Sequence, residues 1–118
     1  MNLQQKLRHY EEEKGIEYVI PTPTEEVSHQ LARILSHFKF RWNYSDIIRI
    51  DDIQFTKCAC IYPSGGFWGE VLPDKDDPDN WAYGVSGVDY KFVTPSQFLR
   101  VLKDINARGG VYLIKYNI

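Results

Sequence analysis

The stretch TEEVSHQLARILSHFKFRWNY, residues 24–44, contains the clearest helix signal of the chain and runs directly into a row of aromatic residues. Thr24 is a favourable N-cap, and Glu25 and Glu26 place negative charge in the first turn, where the helix dipole stabilises it. The apolar residues that follow recur at helical spacing: Val27, Leu31, Ile34, Leu35 and Phe38. This pattern predicts an amphipathic helix that packs one face against a core.

The aromatic row occupies every second position after this helix, with polar residues between the rings: Phe38, Lys39, Phe40, Arg41, Trp42, Asn43 and Tyr44. If residues 38–44 are extended, the rings and the basic groups point to opposite faces, because successive side chains alternate across a strand. Phe38 also completes the apolar stripe of the helix. We therefore interpret the row chiefly as core, with a base-stacking surface as the alternative.

Two further helices are predicted on either side of this stretch. Leu3, Leu7 and Tyr10 have helical spacing before Gly15, which predicts a helix over residues 3–14. Near the C-terminus, TPSQ starts with Thr94 as N-cap, followed by Pro95 at the first helical position and Gln97 at the third. The apolar face of this last helix contains Phe98, Val101, Leu102 and Ile105, and it ends at Gly109 and Gly110.

Strands are predicted between the helices from apolar, β-branched and aromatic runs: residues 16–21, 52–63, 66–72, 88–93 and 111–118. The PSGG sequence between the second and third strands supplies the glycines of a tight hairpin. The order of elements predicts an α+β fold with a mainly antiparallel sheet and about three helices packed on one face.

Composition sets limits on domain number, compartment and partner. A chain of 118 residues with 43% hydrophobic content is expected to form a single globular domain over residues 1–118. We expect a cytoplasmic protein without a membrane segment, because no apolar run approaches bilayer length. Cys58 and Cys60, two residues apart, are expected on one face of a strand without a disulfide. A net charge of −2 gives no overall attraction to phosphates.

An acidic loop is the strongest charge feature of the sequence. PDKDDPDN, residues 73–80, carries four aspartates against one lysine, and tryptophan and tyrosine flank it. Aromatic anchors beside a charged rim are typical of protein interfaces. We therefore expect a non-catalytic binding protein, such as a regulator or inhibitor, that contacts a basic surface of another protein through Trp68, Glu70, Asp74, Asp76, Asp77, Asp79, Trp81 and Tyr83.

Two alternatives are weaker. A single-stranded nucleic-acid binder would use the basic and aromatic residues Lys39, Arg41, Trp42, Tyr44, Arg49 and Lys57. A small enzyme with an unidentified pocket is the third interpretation, since no nucleophile or phosphate-binding motif is present. We expect no metal and no cofactor, because His29 and His37 are about 12 Å apart along a helix and the aspartate spacing does not match an EF-hand.

Overall fold

The computed structural model of the chain describes residues 1–73 and 88–108. In chain order the elements are α1 (Leu3–Lys14), β1 (Ile16–Pro21), α2 (Glu25–His37), a short 3-10 turn (Trp42–Tyr44), β2 (Cys60–Tyr62), β3 (Phe67–Gly69), β4 (Asp89–Phe92) and α3 (Pro95–Arg108). These residues form one compact α+β domain with three helices and a four-stranded sheet. The strand predicted over residues 111–118 lies outside the described residues.

The helix caps confirm the local sequence signals. The Thr24 hydroxyl accepts a hydrogen bond from the Val27 backbone N–H at 3.2 Å. At the start of α3, the Gln97 N–H donates to the Thr94 hydroxyl, and the Thr94 N–H donates to the Gln97 side chain. Gly15 adopts a left-handed conformation at φ 68° and ends α1. The starts of α2 and α3 and the end of α1 therefore follow from residues within a few positions of each cap.

The sheet is mixed, which corrects the prediction of a mainly antiparallel sheet. Its strand order is β3-β2-β1-β4; β1 and β2 are antiparallel, as are β2 and β3, but β4 lies parallel to β1, with Glu17 level with Tyr90. The glycines of the PSGG turn determine the antiparallel pairing of β2 with β3. This turn has no bearing on β4, because the chain between Gly69 and Asp89 is long enough to enter the sheet from either end.

The second and third strands are shorter than the apolar runs that predicted them. Only Cys60–Tyr62 and Phe67–Gly69 form strands, whereas residues 52–58 form turns. The Lys57 and Cys58 N–H groups both donate to the Gln54 carbonyl, at 2.9 and 2.8 Å. In this segment the backbone forms hydrogen bonds within local turns and not with a neighbouring strand, although its composition resembles that of a strand.

Two apolar clusters occupy the two sides of the sheet. The larger cluster joins Tyr18, Ile20 and Ile61 of the strands to buried residues from all three helices and to Phe40. The smaller cluster consists of residues that alternate with these along the strands: Val19, Cys60, Tyr62 and Tyr90. The alternation of strand side chains therefore separates the core into two parts.

The cysteines fall into different clusters, so their predicted placement on one face of a strand is wrong. Cys58 precedes β2 and belongs to the larger cluster, whereas Cys60 belongs to the smaller one. Both are free and buried, and burial raises the pKa of each thiol. Within the described residues, no helix is long and apolar enough to cross a membrane.

Candidate functional site

The aromatic row does not form a strand; it forms a tight loop that begins at the end of α2. Lys39 adopts a positive φ of 58°, and the Phe40 N–H donates to the Leu35 carbonyl at 2.9 Å. The Phe40 ring then enters the larger core cluster with no exposed surface, as the core interpretation of this row expected. It meets the Phe98 ring of α3 edge to face, with centroids 6.1 Å apart.

The remainder of the row is folded back on itself. The Trp42 N–H donates to the Asp46 carbonyl at 2.7 Å, and the Ile48 N–H donates to the Phe40 carbonyl at 2.8 Å. Asn43, at φ 43°, forms the reversal between these bonds. We call residues 40–48 the aromatic loop. Its bonds fix the ring of Trp42 on a different side from that of Phe40.

An open groove of about 760 Å³ lies between the aromatic loop and the β2–β3 hairpin. We call it the tryptophan groove, and its lining residues are Trp42, Asn43, Asp46, Ile47, Arg49, Asp52, Gly66, Phe67 and Trp68. One wall thus comes from residues that follow α2 and the other from the hairpin. The sequence gives no direct indication that these segments meet.

Asp52 organises the loop side of the groove. One of its carboxylate oxygens, Oδ2, accepts both the Trp42 indole N–H, at 3.0 Å, and the Arg49 backbone N–H, at 2.9 Å. These two bonds hold the indole ring and the start of the following turn at the groove wall. Asp52 is therefore a positioning residue for Trp42 and Arg49.

Gly66 joins the two walls of the groove. Its carbonyl accepts the Asn43 N–H at 2.9 Å, and its own backbone has a positive φ of 69°. A Cβ atom at this position would overlap the Arg41 carbonyl oxygen and lie 2.6 Å from the Asn43 nitrogen. Only glycine permits this close approach of hairpin and loop.

Exposed apolar side chains continue from the groove along the chain. Trp68 is 44% exposed and Ile47 is 38% exposed, and both line the groove. Val71 and Leu72, which follow Trp68 closely in sequence, are also exposed. Trp68, Val71 and Leu72 thus expose three large apolar side chains within five residues of sequence.

The residues expected to bind a protein partner are divided by the limits of the described structure. Trp68 lines the groove, and Glu70 is exposed just after β3. The other expected residues lie outside the described part of the chain: Asp74, Asp76, Asp77, Asp79, Trp81 and Tyr83.

The residues of the nucleic-acid alternative do not form one surface around the groove. Trp42 and Arg49 line it beside Trp68, whereas Lys39, Arg41 and Lys57 are exposed but do not line it. The Arg41 guanidinium donates through Nη1 to the Ser45 carbonyl at 2.6 Å. The side chain of Tyr44 lies outside the described structure. The groove therefore combines Trp68, expected to bind a protein partner, with Trp42 and Arg49, which belong to the nucleic-acid alternative.

A second cleft, of about 430 Å³, lies at the other end of the hairpin turn and contains a buried carboxylate. Glu11 of α1 is 4% exposed, and its Oε2 atom accepts the Tyr18 N–H at 2.8 Å. Burial raises the pKa of Glu11 from 4.5 to about 7; the hydrogen bonds of Ser64 and Tyr18 and the charge of Arg8 oppose this rise, while the charge of Glu17 adds to it. Burial likewise raises the pKa of Glu17.

Sequence reasoning missed Glu11 and most of the groove. Gln4, Leu7 and Glu11 are three and four residues apart, so they share one helix face, and all three are buried. The signal that could have identified Glu11 is that two polar residues, Gln4 and Glu11, share a helix face with the apolar Leu7. The groove residues Asp46, Ile47 and Asp52 gave no such signal, because only the loop fold brings them together.

Within the described residues, no group of three or more histidine, cysteine, aspartate or glutamate side chains is placed to hold a metal ion. The chain matches no protein-family model, and it matches neither a curated protein nor a solved structure.

Proposed function

We propose that this protein is a non-catalytic binding protein whose tryptophan groove takes up a segment of another protein that carries an apolar side chain next to a lysine or arginine. The observation that carries this proposal is that Trp42, Ile47 and Trp68 line one open groove together with exposed Asp46. Large side chains of this kind supply most of the energy in protein interfaces, and charges direct the approach. A regulator or inhibitor would use such a surface to cover part of its partner.

Apolar contact favours a partner that is itself a protein. The half-exposed indole of Trp68 loses water-accessible area when a side chain enters the groove, as does Ile47. Val71 and Leu72 add exposed apolar surface just after Trp68 in the sequence. At about 25 cal/mol for each Å² of apolar surface buried, these side chains are the main source of affinity.

The charges of the groove favour a basic partner. Asp46 is exposed and takes part in none of the ion pairs seen among the described residues, whereas Asp52 already accepts two N–H groups. Arg49 is the basic residue of the lining. Glu70 and the four aspartates of residues 74–79 add negative charge after Trp68 in sequence. We propose that they attract the basic partner and repel nucleic-acid phosphates.

The position of the groove in the fold and the state of the cysteines fit this proposal. We infer that all three helices cover one face of the sheet, because residues of each helix join Tyr18, Ile20 and Ile61 in the larger cluster. The groove lies beside β3, at one edge of the described sheet. Two free cysteines fit a reducing, cytoplasmic compartment.

The proposal can be tested by panning a phage-displayed library of random 12-residue peptides against the protein. We expect enriched peptides to carry an apolar residue flanked by lysine or arginine, and to lose at least about tenfold in affinity for a Trp68→Ala variant. Phe92→Ala is the matched control, because Phe92 is 49% exposed on β4, at the other edge of the described sheet. Enriched peptides that bind both variants as well as the original protein would refute the groove as the binding surface.

One observation favours the nucleic-acid alternative: Trp42 and Arg49 share the groove, so a ring and a guanidinium face the same space. Fluorescence anisotropy with a labelled 20-nucleotide oligothymidine tests it directly. Micromolar binding that Arg49→Ala abolishes would replace the protein-partner proposal. We expect no binding at physiological salt, because acidic residues outnumber basic ones in the groove lining.

A further inference from the structure

Two buried polar side chains fasten α1 to the turn that joins β2 and β3. We call residues 63–66 the glycine turn. Gln4 donates through Nε2 to the carbonyls of Arg41 and Pro63, at 3.0 Å each, and its Oε1 accepts the Arg41 N–H at 2.9 Å. Two turns further along α1, Glu11 bonds to Ser64 and to the Tyr18 N–H. The first two residues of the glycine turn, Pro63 and Ser64, are therefore both bonded to α1.

The charged and titratable groups near Glu11 come from α1, β1 and β4. Arg8 of α1 faces it but is also paired with Glu12, at 3.1 Å. Glu17 of β1 repels its charge. Tyr90 of β4 lies next to Glu17; burial of the phenol raises its pKa, and the charge of Glu17 raises it further. Ionised Glu11 is thus buried beside a second carboxylate, with a partly neutralised arginine as its counter-charge.

A continuous path of contacts leads from Glu11 to the tryptophan groove. Ser64 bonds to Glu11 and is followed by Gly65 and Gly66, all three of which are buried. The Gly66 carbonyl accepts the Asn43 N–H, and Gly66 is packed so closely on the Arg41 carbonyl that no side chain fits between them. A shift of the glycine turn is therefore passed to the aromatic loop through the Gly66–Asn43 hydrogen bond and the tight contact of Gly66 with Arg41.

We propose that Glu11 is a pH-sensitive link between α1 and the tryptophan groove, so that loss of its proton shifts the glycine turn and changes the shape of the groove. The neutral acid fits the buried site. The carboxylate is repelled by Glu17 and drawn towards Arg8 and water, and Ser64 follows it through their hydrogen bond. The geometry of the groove, and with it the affinity for a partner, then depends on pH between about 6 and 8.

Two-dimensional ¹H–¹⁵N NMR of the full chain between pH 5 and 9 tests this link without a partner. We expect the backbone amide signals of Gly66 and Asn43 and the indole N–H signal of Trp42 to shift together with a midpoint of about pH 7, the pKa of Glu11. In a Glu11→Gln variant these shifts should vanish. In Ser64→Ala, which keeps the carboxyl group and removes its bond to the turn, the Tyr18 amide should still titrate, while the Gly66 shift becomes at least about twofold smaller.

A His9→Gln variant, which removes the imidazole nearest to Glu11 in the sequence, is the control and should leave the shifts unchanged. Titration of Gly66 that persists in Glu11→Gln, or that disappears in His9→Gln, would overturn the proposal. So would a Tyr18 signal that titrates while Gly66 and Asn43 stay fixed. The biological consequence rests on the proposed function, but the NMR result does not, so the two can fail separately.

Discussion

Replacing Glu11 with glutamine is expected to stabilise the protein at alkaline pH, although it changes a buried, hydrogen-bonded residue. The folded-state pKa of Glu11, about 7, lies above the ordinary value of 4.5, so the folded state holds this proton more tightly than the unfolded state does. The stability that the neutral acid provides is therefore complete below pH 4.5 and is lost as the pH rises to about 7. At about 1.4 kcal/mol for each pKa unit, the loss amounts to about 3 kcal/mol.

Glutamine resembles the neutral acid in shape and keeps an oxygen that accepts the Tyr18 N–H, but it does not titrate. The difference in free energy of unfolding between Glu11→Gln and the original protein should therefore be near zero at pH 4, and should reach about 3 kcal/mol in favour of the variant at pH 8. Urea denaturation followed by circular dichroism, at intervals of half a pH unit, measures this difference and cancels the titration of other groups. A difference that stays constant from pH 5 to 8 would show that the environment of Glu11 does not raise its pKa.

Three further outcomes can be checked by the same unfolding measurements. Phe40→Ala should destabilise the protein by about 3 to 5 kcal/mol, because its ring is fully buried, whereas Phe92→Ala, at a half-exposed ring, should cost less than about 1 kcal/mol; equal losses would contradict the core position of Phe40. Gly66→Ala should destabilise the protein by more than about 3 kcal/mol, because its Cβ would overlap the Arg41 carbonyl and because φ is positive. Gly15→Ala, with a similar φ but open surroundings, should cost only about 1 kcal/mol. Similar losses in the two variants would show that the hairpin and the loop do not touch at Gly66. EDTA should leave the melting temperature unchanged, and a fall of several degrees would reveal a structural metal ion.

Local chemistry explains why the helices could be predicted from the sequence. The N-cap of α2 at Thr24 and the reciprocal bonds of Thr94 and Gln97 involve residues three positions apart, so the sequence contains all the partners. The hairpin between β2 and β3 is equally local, with Gly66 supplying the positive φ. For each of these features, the residues that form it lie within a few positions of one another in the sequence.

The pairing of β4, the turns before β2 and the shape of the aromatic loop depend on distant partners and were not predictable in this way. β4 pairs with β1, which is distant in the sequence, so no local signal gives the parallel direction of this pair. The aromatic row was ambiguous because an alternating pattern is compatible with a strand, whereas its fold is fixed by the Gly66 carbonyl and by the Gln4 side chain. The groove is formed by these distant contacts. The sequence therefore indicated only individual residues of the groove, such as Trp68, and not the groove itself.

The central claim, that the tryptophan groove binds a basic and apolar segment, is tested most directly by titrating ¹⁵N-labelled protein with a peptide selected by panning. We predict that the indole N–H signals of Trp42 and Trp68 shift on binding, and that the affinity falls as salt increases, with a smaller salt dependence in an Asp46→Asn variant. Shifts confined to residues outside the groove, with both indole signals unchanged at saturation, would contradict the claim.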